Sequence, residues 1–290
     1  MRRSFSIFLV LVPIALTVLL DNNLPYMLLS HANRPVPDRP EILNQFKVNA
    51  EGVRFPSRDG LQIAGWFIPA AQQGSPTLIV LHGLGGTRED ILPFALPLQK
   101  KGMNLLMLDL REHGQSEGEF FTYGYHEGKD IAGAIDYLEK RPDDSAKQVV
   151  LLGVSAGATV AVAGAADERV KGLVTIGGLA DLGQTIERHT GWLPSGWRQR
   201  GLDRAEAMAN FKVKDASPLA KIQTLKCPKL IAHGTLDDYI LYRDGLQLFE
   251  AAAMPKEFFP IEQANHANML LLNADRLRDR IVQFVNQSTS

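Results

Sequence analysis

Three uncharged runs of strand length, Thr77–Leu81, Leu105–Leu108 and Val149–Leu152, are each followed by a stretch with helical signals. A strand that is apolar on nearly every residue must be covered on both faces. The intervening helical patterns supply that cover. One runs from Thr87, placed to cap it, to about Lys101, where Gly102 ends it. Another spans His126–Lys140, with Ile131, Ile135 and Leu138 on one face, and a third spans Ala156–Ala166. Val170–Ile176, Leu230–His233 and Glu257–Pro260 continue the strands, and Tyr242–Ala253 and Asn268–Val285 the helices. This alternation predicts an α/β fold built on a mostly parallel twisted sheet with helices on both faces. Ahead of it, Val53–Phe55 and Leu61–Ile68 flank Ser57-Arg58-Asp59-Gly60, and the Asp-Gly pair predicts an N-terminal antiparallel ribbon.

The alternation breaks once, between Gly178 and about Lys221. That is too long for a simple crossover, so residues of about 178–224 are expected to form a lid insertion. The insertion carries Trp192, Pro194, Trp197 and a helical stretch near Leu202–Phe211. At the other end, Arg2 and Arg3 precede an uncharged apolar run from Phe5 to Leu20, broken by Asp21-Asn22-Asn23. Such a run is a signal peptide or a membrane anchor, short for a span unless Leu24–Leu29 extend it. Ser30 and Ala32 stand at the right positions for cleavage before Asn33. The paired arginines favour the cytoplasmic side, which predicts an exported or membrane-anchored, extracytoplasmic catalytic domain. Pro35, Pro37 and Pro40 suit a spacer, and compact structure is expected to begin near Gln45. The expected division is residues 1–32 as leader or anchor and 33–290 as one domain.

Composition narrows the chemistry by exclusion. Lys and Arg number 31 against 32 Asp and Glu, a net charge of -1, so no global field recommends a nucleic acid. The single cysteine, Cys227, forbids an intramolecular disulfide framework and a Cys-rich metal site. His113 and His126 have neither an HExxH partner nor a carboxylate cluster, so no metal is expected.

Ligands of such sheets bind beyond the carboxyl ends of the strands, which directs attention to the residues just after each one. Gly153-Val154-Ser155-Ala156-Gly157 follows the third buried run. It reads as a nucleophile elbow, a strand-to-helix turn whose glycines let two chain segments pass closely while the serine hydroxyl stands above the sheet. After the first run comes His82-Gly83-Leu84-Gly85-Gly86. The N–H groups of Leu84 and Ala156 are candidate oxyanion donors, with Gly85 as the fallback. A serine hydroxyl needs a general base, itself oriented by a carboxylate. In the chain order serine, acid, histidine the candidate bases are His233 and His266, and His266 follows the last strand. Asp237 and Asp238 compete for the acid position after the penultimate strand. Asp109, Arg111 and Ser116 also follow a strand and are polar.

Taken together these motifs resemble the α/β-hydrolase superfamily over residues of about 50–285. The resemblance rests on His82–Gly86, on Asp109-Leu110-Arg111-Glu112-His113-Gly114-Gln115-Ser116 against the pattern D-x-R-G-x-G-x-S, on the elbow, and on His233–Asp237 against HGxxD. The last match assigns the acid to Asp237. Two positions depart from the family, Glu112 where glycine is usual and Leu241 where a proline is common. The resemblance implies a serine hydrolase with Ser155, His266 and Asp237 as its triad, and it implies that Asp109, Arg111 and Ser116 hold their loop together. It would cleave a carboxylic ester or thioester of a small acyl substrate through an acyl-enzyme, with no cofactor. A peptidase shares every one of these residues, and a non-catalytic binding protein on the same scaffold is the reading of another class.

Overall fold

The computed structural model describes residues 23–29, 41–143 and 145–289. The apolar run Phe5–Leu20 and the proline spacer lie outside the described residues. Among the described residues no helix is long and apolar enough to cross a membrane. In chain order the elements begin with helix α1 (23–28), the short helix α2 (Glu41–Gln45), and strands β1 (Glu51–Pro56) and β2 (Gln62–Ile68). There follow β3 (Thr77–Leu81), α3 (Arg88–Lys100), β4 (Asn104–Leu108), α4 (Gly128–Glu139), β5 (Val149–Val154), α5 (Ala156–Gly164) and β6 (Val170–Ile176). The insertion is α6 (Leu182–Thr190), α7 (Ser195–Ala209), a single 3-10 turn at Val213–Asp215, and α8 (Pro218–Ile222). Then come β7 (Lys229–Gly234), α9 (Tyr242–Ala251), β8 (Lys256–Ile261) and α10 (Ala274–Ser288).

The eight strands form one sheet in the order β1-β2-β4-β3-β5-β6-β7-β8. The expected ribbon is there: β1 pairs antiparallel with β2, and β2 antiparallel with β4. Every pair from β4 to β8 is parallel. After β3 the chain steps to one side to make β4 and then returns to the other side of β3 to make β5. Between β3 and β5 the winding reverses, and that crevice is where a parallel sheet leaves room for a ligand.

Alternation along each buried strand divides the core in two, because successive side chains point to opposite faces. Ile79, Leu81, Leu106, Leu108 and Leu151 belong to the layer that also holds Ile131, Ile135 and Val160 of α4 and α5. Leu78, Val80, Leu105, Met107 and Leu152 pack on the other face with Leu92 and Leu98 of α3 and Ile281 and Phe284 of α10. A third cluster lies in the insertion, where Leu182, Ile186, Ala205, Ala209 and Phe211 pack around Leu29. Packing therefore starts upstream of Gln45.

Two helices differ in extent from the sequence expectation. Helix α7 begins at Ser195 rather than near Leu202, and its buried positions are only Gly201, Ala205 and Ala209. Such small residues leave no strong apolar period to read. Helix α10 begins at Ala274 rather than Asn268. The Asn268 side chain instead accepts the Asn265 N–H at 2.8 Å, and the Asn265 side chain accepts the N–H groups of Ala267 and Asn268. Asparagine side chains that bond the local backbone in this way compete with a helix.

Candidate active site

Ser155 stands at the end of β5 with φ 54° and ψ -120°, in the left-handed region that a serine enters only at a cost of about 1–3 kcal/mol. The flanking glycines permit it. A Cβ on Gly153 would lie 2.2 Å from the Gly157 carbonyl oxygen, and one on Gly157 would lie 2.4 Å from that of His82. The turn thus presses β5 and α5 together and against the end of β3.

The serine, the histidine and the aspartate meet in line. Ser155 Oγ is 2.9 Å from His266 Nε2, and His266 Nδ1 is 2.7 Å from Asp237 Oδ2. Asp237 follows β7, and its side chain is fully buried. Its Oδ1 accepts the N–H groups of Tyr239 at 3.1 Å and Ile240 at 3.0 Å. His233 Nε2 lies 3.3 Å from Oδ2. That same Nε2 is 2.9 Å from the Ile240 carbonyl, which can only accept, so Nε2 carries the proton. Burial works to raise the Asp237 pKa, but hydrogen bonds from His233 and His266 outweigh it and hold the carboxyl down at about 2. His233 is therefore a partner of the acid and stands away from Ser155. Asp238, the competing carboxylate, is exposed to solvent.

His266 is placed by the asparagine-knit loop after β8. The Leu236 N–H donates to the Ala264 carbonyl at 2.8 Å, which ties that loop to the one bearing Asp237. The Tyr239 ring lies 5.2 Å from the His266 ring and 4.7 Å from that of His189 on α6, linking the insertion to the site.

Loop 82–86 lies against the serine, since a Cβ on Gly83 would stand 3.4 Å from Ser155 Cβ. Gly85, the fallback donor, has its N–H committed to His113 Nε2 at 3.0 Å. Among the described residues the N–H groups of Leu84 and Ala156 have no acceptor. The histidines that shape this loop act in reciprocal fashion. His82, after β3, accepts the Leu110 N–H on Nε2 at 3.0 Å, while His113, after β4, accepts the Gly85 N–H. Each ring holds its single proton, on Nδ1, against a backbone carbonyl, His82 against Gly83 at 2.7 Å and His113 against Arg111 at 2.9 Å. Both must be neutral for this. Burial first, then competition with the neighbouring His113 for a proton and the charge of the nearby Arg88, lower the pKa of His82 to about 3, and burial lowers that of His113.

The second motif loop is held by charge. Asp109 accepts the N–H groups of Arg88 and Gln115 and pairs with the buried Arg88 guanidinium. Ser116 Oγ bridges the Asp109 carbonyl and the Ala64 N–H, and Arg111 pairs with Asp130 at 2.6 Å. These residues fasten the loop rather than face Ser155. Glu112, where the family pattern has glycine, takes φ 68° and is fully buried. His126 donates to the Ala209 carbonyl at 2.9 Å and so ties the segment leading into α4 to the end of α7. Sequence reasoning overlooked Tyr239, His189 and the bond from Gly85 to His113. The first two carry no motif, and the third depends on the lateral spacing of two strand ends.

A mostly parallel open sheet with a strained serine above its switch point and a histidine–carboxylate pair just beyond its last two strands defines a recognisable class of protein. Residues 76–220 match the family described as alpha/beta hydrolase fold, and the chain belongs to that family. The uncharacterized protein YfhR of Salmonella typhi is 28% identical over 274 residues, covering 88% of this chain and 87% of that protein. The uncharacterized protein Rv2307c of Mycobacterium tuberculosis is 26% identical over 255 residues, covering 88% of this chain and 84% of its own. Among solved structures, the esterase Pf2001 of Pyrococcus furiosus superposes with a TM-score of 0.71 at 20% identity, over 89% of this chain and 98% of that one. The α/β hydrolase GrgF of a Penicillium species gives 0.68 at 22% identity, over 83% and 99%.

Proposed function

We propose that the protein is a serine hydrolase that cleaves a carboxylic ester or thioester through an acyl-enzyme. One observation carries the reading: the line from Ser155 Oγ to His266 Nε2 to Asp237 Oδ2, with links of 2.9 and 2.7 Å. His266 Nδ1 faces an ionised carboxylate and so carries the ring proton, which leaves Nε2 as a lone pair aimed at the hydroxyl. Ser155 attacks the acyl carbon while His266 takes its proton. The carbonyl oxygen becomes an oxyanion against the N–H groups of Leu84 and Ala156. Collapse of the tetrahedral intermediate expels the alcohol or thiol, which receives the proton from His266. Water then repeats the sequence on the acyl-serine and frees the acid.

No cofactor enters these steps. The esterase name of the Pyrococcus furiosus structure favours an acyl substrate. GrgF of a Penicillium species is named a polyketide transferase; with an acceptor other than water, the same acyl-serine chemistry becomes acyl transfer. The paired arginines before the apolar run favour an extracytoplasmic catalytic domain.

A fluorophosphonate probe tests the assignment. Wild type should be labelled in a time-dependent way and Ser155→Ala should not. Absence of labelling in the wild type, or equal labelling of both, ends it. Parallel assays with p-nitrophenyl esters of increasing chain length and with aminoacyl anilides separate ester hydrolysis from peptidase activity.

A further inference from the structure

Residues 23–29 precede the sheet in sequence yet pack with the lid. Leu24 is 4% exposed and Leu29 is fully buried. Leu29 sits among Leu179, Leu182, Ile186 and Ala205, and its carbonyl accepts the Phe121 N–H at 3.1 Å. On α7, a Cβ at Gly201 would stand 2.5 Å from Leu24 Cδ2, so the glycine is the socket for that leucine. Cleavage before Asn33 would remove this segment and open the lid cluster to water. The same α1 exposes Tyr26 and Met27, the latter by 75%, and the turn between α6 and α7 exposes Trp192 by 79%.

The apolar run Phe5–Leu20 ends four residues before Leu24, with only Asp21, Asn22 and Asn23 between. An extended chain advances at most about 3.6 Å per residue, so a membrane-embedded run holds Leu24 within roughly 10–15 Å of the interface. That is comparable to the diameter of one helix. Tryptophan and tyrosine are the side chains that settle at the headgroup level.

We propose that residues 23–29 are a permanent strap of the lid, that the apolar run is retained as a membrane anchor rather than cleaved before Asn33, and that the strap holds the lid, with Trp192, Tyr26 and Met27, against the lipid surface. The assignment is independent of the chemistry at Ser155. Contact runs onward from the lid to the site, since His189 of α6 meets Tyr239, which meets His266.

The test uses the full chain, isolated from membranes and reconstituted in vesicles of phosphatidylethanolamine and phosphatidylglycerol brominated near the head of the acyl chains. The intact mass should include residues 1–32. Tryptophan emission should fall by roughly a third to a half relative to unbrominated vesicles, as for a side chain at the interface, and Trp192→Phe should abolish most of that difference. Leu24→Asp with Leu29→Asp should stay membrane-bound while losing the quench. Should that pair fail to fold, the comparison of wild type with Trp192→Phe still decides. A folded chain beginning at Asn33, recovery of the unprocessed chain in the soluble fraction, or equal quenching in wild type and Trp192→Phe overturns the proposal.

Discussion

Replacing Asp237 by asparagine exchanges one carboxylate oxygen for an amide NH2 and should cost about three to four orders of magnitude in kcat, or about 4–5 kcal/mol of transition-state stabilisation. The size follows from what surrounds the carboxylate. Oδ1 accepts two backbone N–H groups, from Tyr239 and Ile240, while Oδ2 faces His266 Nδ1 and His233 Nε2. Asparagine must choose which end carries its NH2. Turned toward the backbone, the NH2 meets two donors, a buried conflict worth about 1–3 kcal/mol. Turned the other way, its oxygen keeps both backbone bonds and its NH2 faces His266. The imidazole then accepts on Nδ1 and carries its proton on Nε2, where it points at Ser155 Oγ and can no longer act as a base. Asp238→Asn, at an exposed position, should change kcat by less than about threefold, since exposed charges act weakly at a distance. Steady-state hydrolysis of p-nitrophenyl butyrate measures both variants, with thermal unfolding to confirm that each is folded. A loss below tenfold for Asp237→Asn, or an equal loss for Asp238→Asn, would refute this account of the acid.

Further outcomes follow from the loops around the serine. His113→Phe removes the acceptor for the Gly85 N–H, and kcat should fall about tenfold with KM nearly unchanged, less than the 100-fold or more for deleting an oxyanion donor outright. A rise in KM at constant kcat would instead place His113 in substrate binding. Gly157→Ala puts a methyl group 2.4–2.5 Å from the His82 and Leu81 carbonyl oxygens, and urea unfolding should show a loss of about 1–3 kcal/mol or more with near-complete inactivation. His82 and His113 stay neutral when folded and protonate more readily when unfolded. Their stabilisation is thus complete above the unfolded value of about 6.5 and falls with pH by up to about 1.4 kcal/mol per unit for each ring. For His82 that decline continues toward its folded value of about 3, and His82→Phe should flatten the slope. Asp237 contributes in the same sense over a lower window, present above about 3.9 and lost as pH falls toward 2.

Much of this arrangement was legible from local pattern. Buried runs located the strands, the ribbon followed from Asp59-Gly60, and the strand ends pointed to Ser155, to His266 and to the Asp237–Asp238 pair, of which the family resemblance chose Asp237; the three residues meet across 111 and 29 residues of chain. What the pattern missed is lateral. Whether Gly85 gives its N–H to an oxyanion or to His113 is decided by how far apart the ends of β3 and β4 lie, and no periodicity encodes that. The first half of helix α7 escaped for another reason, because glycine and alanine at the helix's buried positions give close packing without an apolar signal. The start of α10 was read too early because asparagines at 265 and 268 bond the loop that presents His266.

The places where local rules fail point back to the site. Among the described residues, non-glycine positions with positive φ include Glu112, Ser155 and Gln263, in the segments that follow β4, β5 and β8. Each conformation costs about 1–3 kcal/mol and persists only where surrounding structure over-determines it. Here the over-determination is visible. Ser155 is clamped by glycines that admit no side chain. Glu112 sits in a loop fastened by the Arg88–Asp109 and Arg111–Asp130 pairs, and the Gln263 N–H donates to Thr235 Oγ1 at 2.9 Å across the ends of β7 and β8. Removing a fastener should therefore act on the site before it acts on the core. Asp109→Asn leaves the Arg88 charge buried without its carboxylate, a change of the kind that costs about 3–5 kcal/mol. Its first effect should be on loop 82–86, which Arg88 follows by two residues, so activity at moderate temperature should decline before the cooperative unfolding transition begins. Coincidence of the two midpoints would show that the strand-end loops and the sheet melt as one unit.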